Sequence, residues 1–429
     1  MELLELLKEL AGKHRYAGTE NESWACELLA DRLRKIGCEV ELEETSYIGS
    51  ELYLFFMVTA PIWLLFGFAL ASGFVHSLIV GLGIIGFMAF MNILYPRIEL
   101  KLTRARSTNI IGRLNPKEPQ RLLLTAHYDS ARIAPKYIQR FWNALRWVQS
   151  VFSLLILLLI GLLLGRGLWM LITTGDFGQL ISPGPEVGLA GWPWSPIWWF
   201  YLVITAAMAS LATAVMVHLL RGGYSLGADD NASGTVVLLE LAERLGKQDL
   251  ALGIDFCLFA AEERGLFGSR DWVTKHAKEL DKEKIWVLNL DCVGRGEQFF
   301  INNGQGLIFK KRSDPTIVKL LEEACAELGL SYKLGWGAGT DHYEFVKRRF
   351  KCASILRCDV ARAILPERLL RALYRIPASR DVTPRLIWAH SKDDTPERIE
   401  EKKLEETADL VELFVRKLEK KAAQGGDPR

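Results

Sequence analysis

Apolar and polar positions repeat with a helical period and then with a strand period at the start of the chain. Apolar residues recur at helical spacing at Ala25, Leu28, Leu29, Leu33 and Ile36. This spacing predicts a helix that begins at Asn21 and ends before Gly37. Residues 38–47 then alternate between apolar and polar positions, which predicts a strand. The chain therefore opens as an α/β domain.

The same two periods return later in the chain. Helices are predicted where apolar residues recur at helical spacing over 237–245 and 316–328, and a highly charged helix is predicted from about Pro396. Short apolar runs predict strands at 109–114, 121–126, 254–261, 286–290 and 352–356. The fold class that these elements predict is α/β, with a mixed sheet flanked by helices.

Three long stretches contain no Lys, Arg, Asp or Glu, namely residues 52–95, 147–165 and 197–220. One membrane-spanning helix needs about 20 apolar residues, so the first stretch is long enough for two helices and each of the others for one. We therefore predict four transmembrane helices, inserted as two hairpins at 51–96 and 133–221. The α/β domain is then assembled from residues 1–50, 97–132 and 222–429.

An even number of spans places all parts of the α/β domain on one side of the membrane. Lys and Arg are frequent in the segments that flank the spans on this side, whereas the loops on the other side contain only Arg166. The positive-inside rule then predicts a multi-pass protein of the cell membrane with its α/β domain in the cytoplasm. The acidic N-terminus, MELLELLKEL, lacks the features of a signal peptide, which agrees with this orientation.

Composition excludes some classes of protein. The net charge of +2 and the 24% of charged residues give no indication of nucleic-acid binding. The seven cysteines are scattered and form no CxxC motif, which argues against a disulfide framework and against a zinc site made of cysteines.

Two pairs of acids flank one helix–strand unit. Asp229 and Asp230 precede the helix at 237–245, and Glu262 and Glu263 follow the strand at 254–261. Adjacent acids at such positions are costly unless a cation neutralises them, so this stretch predicts a metal site.

Five residues at strand ends or in polar loops are candidate metal ligands, namely His127, Asp230, Glu263, Asp291 and His390. Each alone also fits a core histidine, a helix cap or a solvated acid. Together they supply the carboxylates and imidazoles that a pair of divalent cations needs, and this ligand set favours zinc or a similar ion. Asp129 is placed to hydrogen-bond the imidazole of His127 and fix its tautomer.

The motifs that contain these residues resemble those of the M28 family of dinuclear zinc aminopeptidases. The matching motifs are HRYAGTENE, HxD, GADDNASG, FAAEERGLFGS, NLDCVG, GTDHYEF and AHSKDDTPERI. The resemblance covers residues 1–50, 108–130 and 222–417. It implies an α/β peptidase fold, two zinc ions and the hydrolysis of N-terminal residues from peptides.

The resemblance also implies individual roles. Asp230 would bridge the two metals, His127 and Asp291 would complete one site, and Glu263 and His390 the other. Glu262 would be the general base. Asp341 would contact the metal ligands without binding a metal itself, and its neighbour His342 would do the same or line the substrate pocket.

Alternatives remain open. A glutaminyl cyclase, which uses one zinc, and a carboxypeptidase or dipeptidase share the scaffold, and an inactive membrane receptor or scaffold would have lost a ligand or the base. Because the second predicted hairpin separates His127 from Asp230, we expect peptides released from or tethered to the lipid bilayer to be substrates.

Overall fold

The computed structural model describes residues 3–49, 104–134, 221–305, 311–337, 339–373, 382–385 and 388–424, with a few single positions between 147 and 218. The chain divides into two compact units. The first comprises Met1–Tyr47, Ala105–Gln139 and Gly223–Arg429, and the second comprises Ile48–Arg104 and Arg140–Gly222. Nearly all of the second unit lies outside the described residues, and the described helices and strands belong almost entirely to the first unit.

The four predicted membrane spans fall outside the described residues, apart from single positions in the second pair. Among the helices that the structure does describe, none is both long and apolar enough to cross a membrane. The four spans therefore stay a prediction.

A nine-stranded mixed sheet runs through the described part of the first unit. Its strands are β1 Glu39–Ile48, β2 Arg104–Leu114, β3 Arg121–His127, β4 Gly253–Phe259, β5 Ile285–Leu290, β6 Gln298–Asn302, β9 Tyr332–Gly335, β10 Lys351–Arg362 and β11 Val382–Arg385. Their order across the sheet is β1-β2-β4-β3-β5-β10-β6-β9, and β11 pairs with β10. The central strands β4, β3, β5 and β10 are parallel to one another, whereas β2 and β6 run antiparallel to β4 and β10. The carboxyl ends of the four central strands therefore meet at one edge of the sheet, where α/β proteins place their ligands.

A separate pair is formed by β7 Gly304–Gln305 and β8 Lys311–Arg312. The predicted α/β fold with a mixed sheet is confirmed.

Helices cover both faces of the sheet. They are α1 Leu3–Ala11, α2 Glu20–Ile36, α3 Gly234–Leu245, α4 Phe267–His276, α5 Pro315–Glu327, α6 His342–Lys347, α7 Leu365–Leu373 and α8 Glu401–Gln424, with a π-helical turn at Ala228–Ser233 and a short 3₁₀ helix at Pro396–Arg398. The apolar faces of α1, α2, α3, α5 and α8 form the larger core with one face of the sheet. Helices α4 and α6 bury the other face.

The first predicted helix starts earlier than its pattern indicated. Thr19 is the N-cap of α2 in place of Asn21, because its backbone is extended and its side chain accepts a hydrogen bond from the amide of Glu22. Gly37 ends the helix with φ of 101°, a left-handed conformation that glycine adopts without steric cost.

Candidate metal centre

Four predicted site residues lie at the carboxyl ends of three neighbouring parallel strands. His127 is the last residue of β3, Glu262 and Glu263 follow β4, and Asp291 directly follows β5. Each strand is buried along its length because apolar residues pack on both faces. The sheet therefore brings together side chains that are more than 160 residues apart in the chain.

Asp230 lies between two histidines. One carboxylate oxygen, Oδ1, is 3.2 Å from Nε2 of His127, and the other, Oδ2, is 3.1 Å from Nε2 of His390. Asp230 is buried, and it sits in the π-helical turn that leads into α3. Its carboxylate therefore faces two separate groups of ligands with one oxygen each.

The remaining candidates complete these two groups. Asp291 Oδ1 is 3.8 Å from Nε2 of His127, and Glu263 Oε2 is 3.0 Å from Nε2 of His390. The ligand atoms of His127, Asp230 and Asp291 all lie within 4.8 Å of one another, and so do those of Asp230, Glu263 and His390. All five residues that the sequence singled out as metal ligands are thus brought together.

Glu262 lies beside the first group. Its Oε2 is 3.9 Å from Nε2 of His127, and His127, Glu262 and Glu263 also have ligand atoms within 4.8 Å of one another. Glu262 is buried, so its carboxylate is shielded from bulk water. The geometry puts this acid next to the ligand atoms of the first group.

Asp129 holds the loop that carries the two glutamates. Its carboxylate accepts hydrogen bonds from the amides of Glu262 at 3.1 Å and Glu263 at 3.2 Å. The same carboxylate lies 3.4 Å from Nδ1 of His127. Asp129 therefore lies beside the imidazole without an ideal hydrogen-bond geometry, and it fixes the main chain of the neighbouring acids.

The sequence reasoning missed a second carboxylate with the same role. Asp394 accepts hydrogen bonds from the amide of Asp229 at 2.6 Å and from the amide of Asp230 at 3.2 Å. Asp229 in turn accepts from the amide of Gly294 at 2.8 Å and from the indole of Trp388 at 2.5 Å. The only signal for Asp394 was its place in the motif that contains His390.

Arg15 was missed as well, although its motif was recognised. Its guanidinium is fully buried and donates to the carbonyl oxygens of Leu10, Tyr128, Leu226 and Gly227. Tyr128 directly follows His127, and Leu226 and Gly227 lie shortly before Asp230. Arg15 therefore joins the two segments that carry these ligands. Burial lowers the pKa of Arg15 to about 10, which leaves it charged at neutral pH, while Asp394, Asp129 and Asp230 act in the opposite direction.

Burial and mutual charge set the protonation of the site. Burial raises the pKa of Glu262 well above its ordinary value; His127 opposes this, and Glu263 adds to it. Burial also raises the pKa of Asp230, but its interactions with His127 and His390 outweigh that effect and hold the pKa below its ordinary value. So many acids in a small buried volume carry a strong negative potential, which a bound cation neutralises.

The motif TDHYEF contributes no ligand among the described groups. His342 is buried, and its ring nitrogens contact the hydroxyl of Thr340 at 2.6 Å and the amide of Asn302 at 3.3 Å. Burial lowers its pKa to about 3, so it is a neutral, structural histidine. Asp341 is also buried; burial raises its pKa to about 7, and His127 acts to lower it.

The residues fit a pair of zinc ions. Zinc binds imidazole nitrogens and carboxylate oxygens, and both kinds of atom face each group. Among the described residues, neither Nε2 of His127 nor Oε1 of Glu263 has a hydrogen-bond partner, although both atoms are buried. Buried polar atoms are normally paired, so their geometry is explained by metal coordination.

Comparisons with known proteins agree with this arrangement. The model of the family described as peptidase family M28 matches residues 201–415, half of the chain. Aminopeptidase YwaD from Bacillus subtilis is 29% identical over 204 residues, a match that covers 46% of this chain and 39% of that protein. The chain thus spans about two fifths of the length of this curated relative.

Solved structures share the fold. A leucine aminopeptidase precursor from Bacteroides thetaiotaomicron superposes with a TM-score of 0.52 at 16% identity and covers 96% of this chain and 95% of its own. A glutaminyl cyclase from the same organism superposes with a TM-score of 0.53 at 17% identity and covers 96% of both chains.

Proposed function

Because the chain belongs to peptidase family M28, we propose that it is a zinc aminopeptidase that removes N-terminal residues from peptides. One observation carries the proposal. The two oxygens of Asp230 face two complete groups of ligands, one with His127 and one with His390. A carboxylate in this position is what a site for two neighbouring divalent cations requires.

The described residues can hold both ions. His127, Asp230 and Asp291 would hold one, and Asp230, Glu263 and His390 the other. When bound, the metals polarise the scissile carbonyl and lower the pKa of water. The supporting carboxylates Asp129 and Asp394 restrict the ligands to this geometry through the main chain.

Glu262 moves the proton. Its Oε2 accepts a proton from the attacking water and later delivers it to the nitrogen of the leaving amine, so that each turnover returns the carboxylate to its starting state. The main chain of Glu262 is held by Asp129, so the carboxylate stays beside His127 throughout. The peptide bond breaks and the water is divided between the two products.

The decisive variant is Glu262→Gln, with Glu243→Gln on the solvated surface of α3 as its matched control. We expect a loss of about 10²–10⁴-fold in kcat for the hydrolysis of aminoacyl p-nitroanilides, because a general acid–base contributes that much. Zinc content should stay at about two ions per chain. Activity within tenfold of the parent would show that Glu262 is not the base.

The glutaminyl cyclase alternative is favoured by the second structural match. The two activities are distinguished by their products. A cyclase releases ammonia from peptides with N-terminal glutamine, whereas an aminopeptidase releases the free amino acid. Because His127 and Asp291 form a complete group with Asp230, we expect two metals and free amino acid. One zinc per chain together with ammonia release would identify the cyclase.

We also propose that the first unit lies on the cytoplasmic side of the cell membrane, which rests on the distribution of Lys and Arg around the predicted spans. All seven native cysteines are buried, so single introduced cysteines can report the topology. A membrane-impermeant maleimide should label Arg166→Cys in intact cells and Gln424→Cys only after permeabilisation. The reverse pattern would contradict the orientation.

A further inference from the structure

Helix α7 exposes a stripe of leucines to solvent. Leu365, Leu369 and Leu373 are 61%, 50% and 61% exposed. They are four residues apart, so they lie on one face of the helix. In the described part of the first unit, only Leu42 and Leu328 are other large apolar residues with such exposure, and neither belongs to a stripe. Clustered exposed apolar residues mark an interaction surface, whereas isolated ones do not.

The sequence around this stripe is basic. Residues 362–385 contain six arginines and only two acids, Glu367 and Asp381. Arg362 and Arg368 are exposed, and Arg368 lies on the helix next to the leucine stripe. An amphipathic helix with leucines on one face and arginines beside them is typical of segments that lie in the headgroup region of a bilayer.

The helix is held in place at its base. Strand β10 leads into it and pairs antiparallel with β11, with Arg362 opposite Val382 and Asp359 opposite Arg385. The carboxylate of Glu367 accepts a hydrogen bond at 3.1 Å from the amide of Ile364 just before the helix. The exposed leucines therefore lie on a helix whose start is fixed by the strand pair and by Glu367.

We propose that α7 docks onto a lipid surface that carries anionic headgroups. The leucines enter the boundary between headgroups and acyl chains, and the arginines bind the lipid phosphates. Charge complementarity selects this occupant: a basic segment in which Arg362 and Arg368 are exposed matches an anionic membrane surface, whereas a second copy of the chain would bring the same arginines into repulsion. One such helix binds weakly by itself, so its role is to fix how the peptidase unit faces the bilayer.

The test uses a fluorophore that brightens in apolar surroundings, attached to Leu369→Cys in the full chain. Leu328→Cys is the matched control, since Leu328 is an exposed leucine at the end of α5, 40% accessible. Because the native cysteines are buried, only the introduced thiol is labelled. The readout reports the surroundings of α7 alone, so it does not depend on whether the predicted spans hold the chain in the bilayer.

The labelled proteins are studied in nanodiscs of phosphatidylcholine alone and of phosphatidylcholine with phosphatidylglycerol. We expect a several-fold rise in emission at position 369 in the anionic discs, quenching by spin-labelled lipid, and reversal in about 1 M salt, where the Debye length is about 3 Å. The emission of the fluorophore at position 328 should be the same in both kinds of disc. Adding Arg368→Gln to the labelled variant should weaken the response, because one exposed positive charge is removed beside the leucine stripe.

Two outcomes would overturn the proposal. Equal emission from positions 369 and 328 in both kinds of disc would show that α7 does not touch lipid. A rise that depends on protein concentration, and that occurs in detergent without lipid, would identify a second copy of the chain as the occupant.

Discussion

Replacing Arg15 by methionine should destabilise the first unit more than any single change on its surface. The guanidinium donates to the carbonyls of Tyr128 at 2.7 Å, Leu226 at 2.8 Å, Gly227 at 2.8 Å and Leu10 at 2.9 Å. Methionine fills a similar volume but donates nothing, so all four carbonyls lose a charged donor, although that of Gly227 still accepts from the amide of Ala232 at 3.0 Å.

The magnitude follows from these four contacts. A hydrogen bond from a charged donor contributes about 1.5–3 kcal/mol, and an unpaired buried acceptor costs a comparable amount. Water can enter and relax some of the four carbonyls, so we expect a loss of at least about 4 kcal/mol in the free energy of unfolding. At about 2–4 °C per kcal/mol, Tm should fall by about 10 °C.

The assay is thermal unfolding of the zinc-loaded protein, followed by circular dichroism. Arg15→Lys should fall between the parent and Arg15→Met, because lysine keeps the charge but cannot reach all four carbonyls with a rigid fork. The control is Arg34→Met, which removes an ion pair with Asp31 in which the two side chains are 49% and 63% exposed. Its cost should stay below about 1 kcal/mol. A loss of less than about 1 kcal/mol in Arg15→Met would refute this reasoning.

Two further variants test the supports of the site and its pH dependence. Asp394→Asn keeps one acceptor and places an amide group against the main-chain donors of Asp229 and Asp230. The zinc affinity measured by chelator competition should therefore fall about 10–100-fold. An unchanged affinity would show that Asp394 does not support the metal ligands. Burial raises the pKa of Glu22 to about 7, against the hydrogen bonds from Ser107 and the amide of Gly18. Because folding raises this pKa, the protonated carboxyl of Glu22 contributes its full stability below about pH 4.5. The free energy of unfolding then falls by about 3 kcal/mol as the pH rises through about 7. Glu22→Gln should remove this loss, so in urea unfolding the stability of the variant relative to the parent should be greater at pH 8 than at pH 5. The same stability difference at both pH values would contradict this prediction.

The ligands could be predicted from the sequence because they stand at recognisable positions. His127 and Asp291 each close an apolar run that is long enough for a buried strand, and parallel strands end at the same edge of a sheet. The acid pairs were visible because two adjacent carboxylates beside an apolar segment are unusual. The order of the strands was not predictable, since long crossovers separate strands that pair in the sheet.

Other features depend on contacts that no local pattern records. Arg15 binds carbonyls more than 200 residues away, and a main-chain acceptor leaves no trace in the sequence. Helix α7 and strand β11 were not predicted, because the basic segment around them masks a short amphipathic pattern. The cap at Thr19 was missed because Asn21 is an equally suitable residue type and only the backbone conformation distinguishes them.

The supports explain how this site tolerates a long insertion between two of its ligands. Asp129 binds two consecutive amides in the loop of Glu262, and Asp394 binds two in the loop of Asp230. Each acid pair is thus fixed through its main chain, independently of the chain that joins it to the next ligand.

The ends of the insertion are fixed in the same way. The hydroxyl of Ser130 accepts a hydrogen bond at 2.9 Å from the amide of Arg15, and the amide of Ser225 donates at 2.9 Å to the carbonyl of Ala131. A Cβ at Gly227 would collide with the carbonyl of Asp230 and with Ser130, so the two strands of chain can approach this closely only with glycine there. The segments that follow His127 and precede Asp230 are therefore joined to each other inside the first unit.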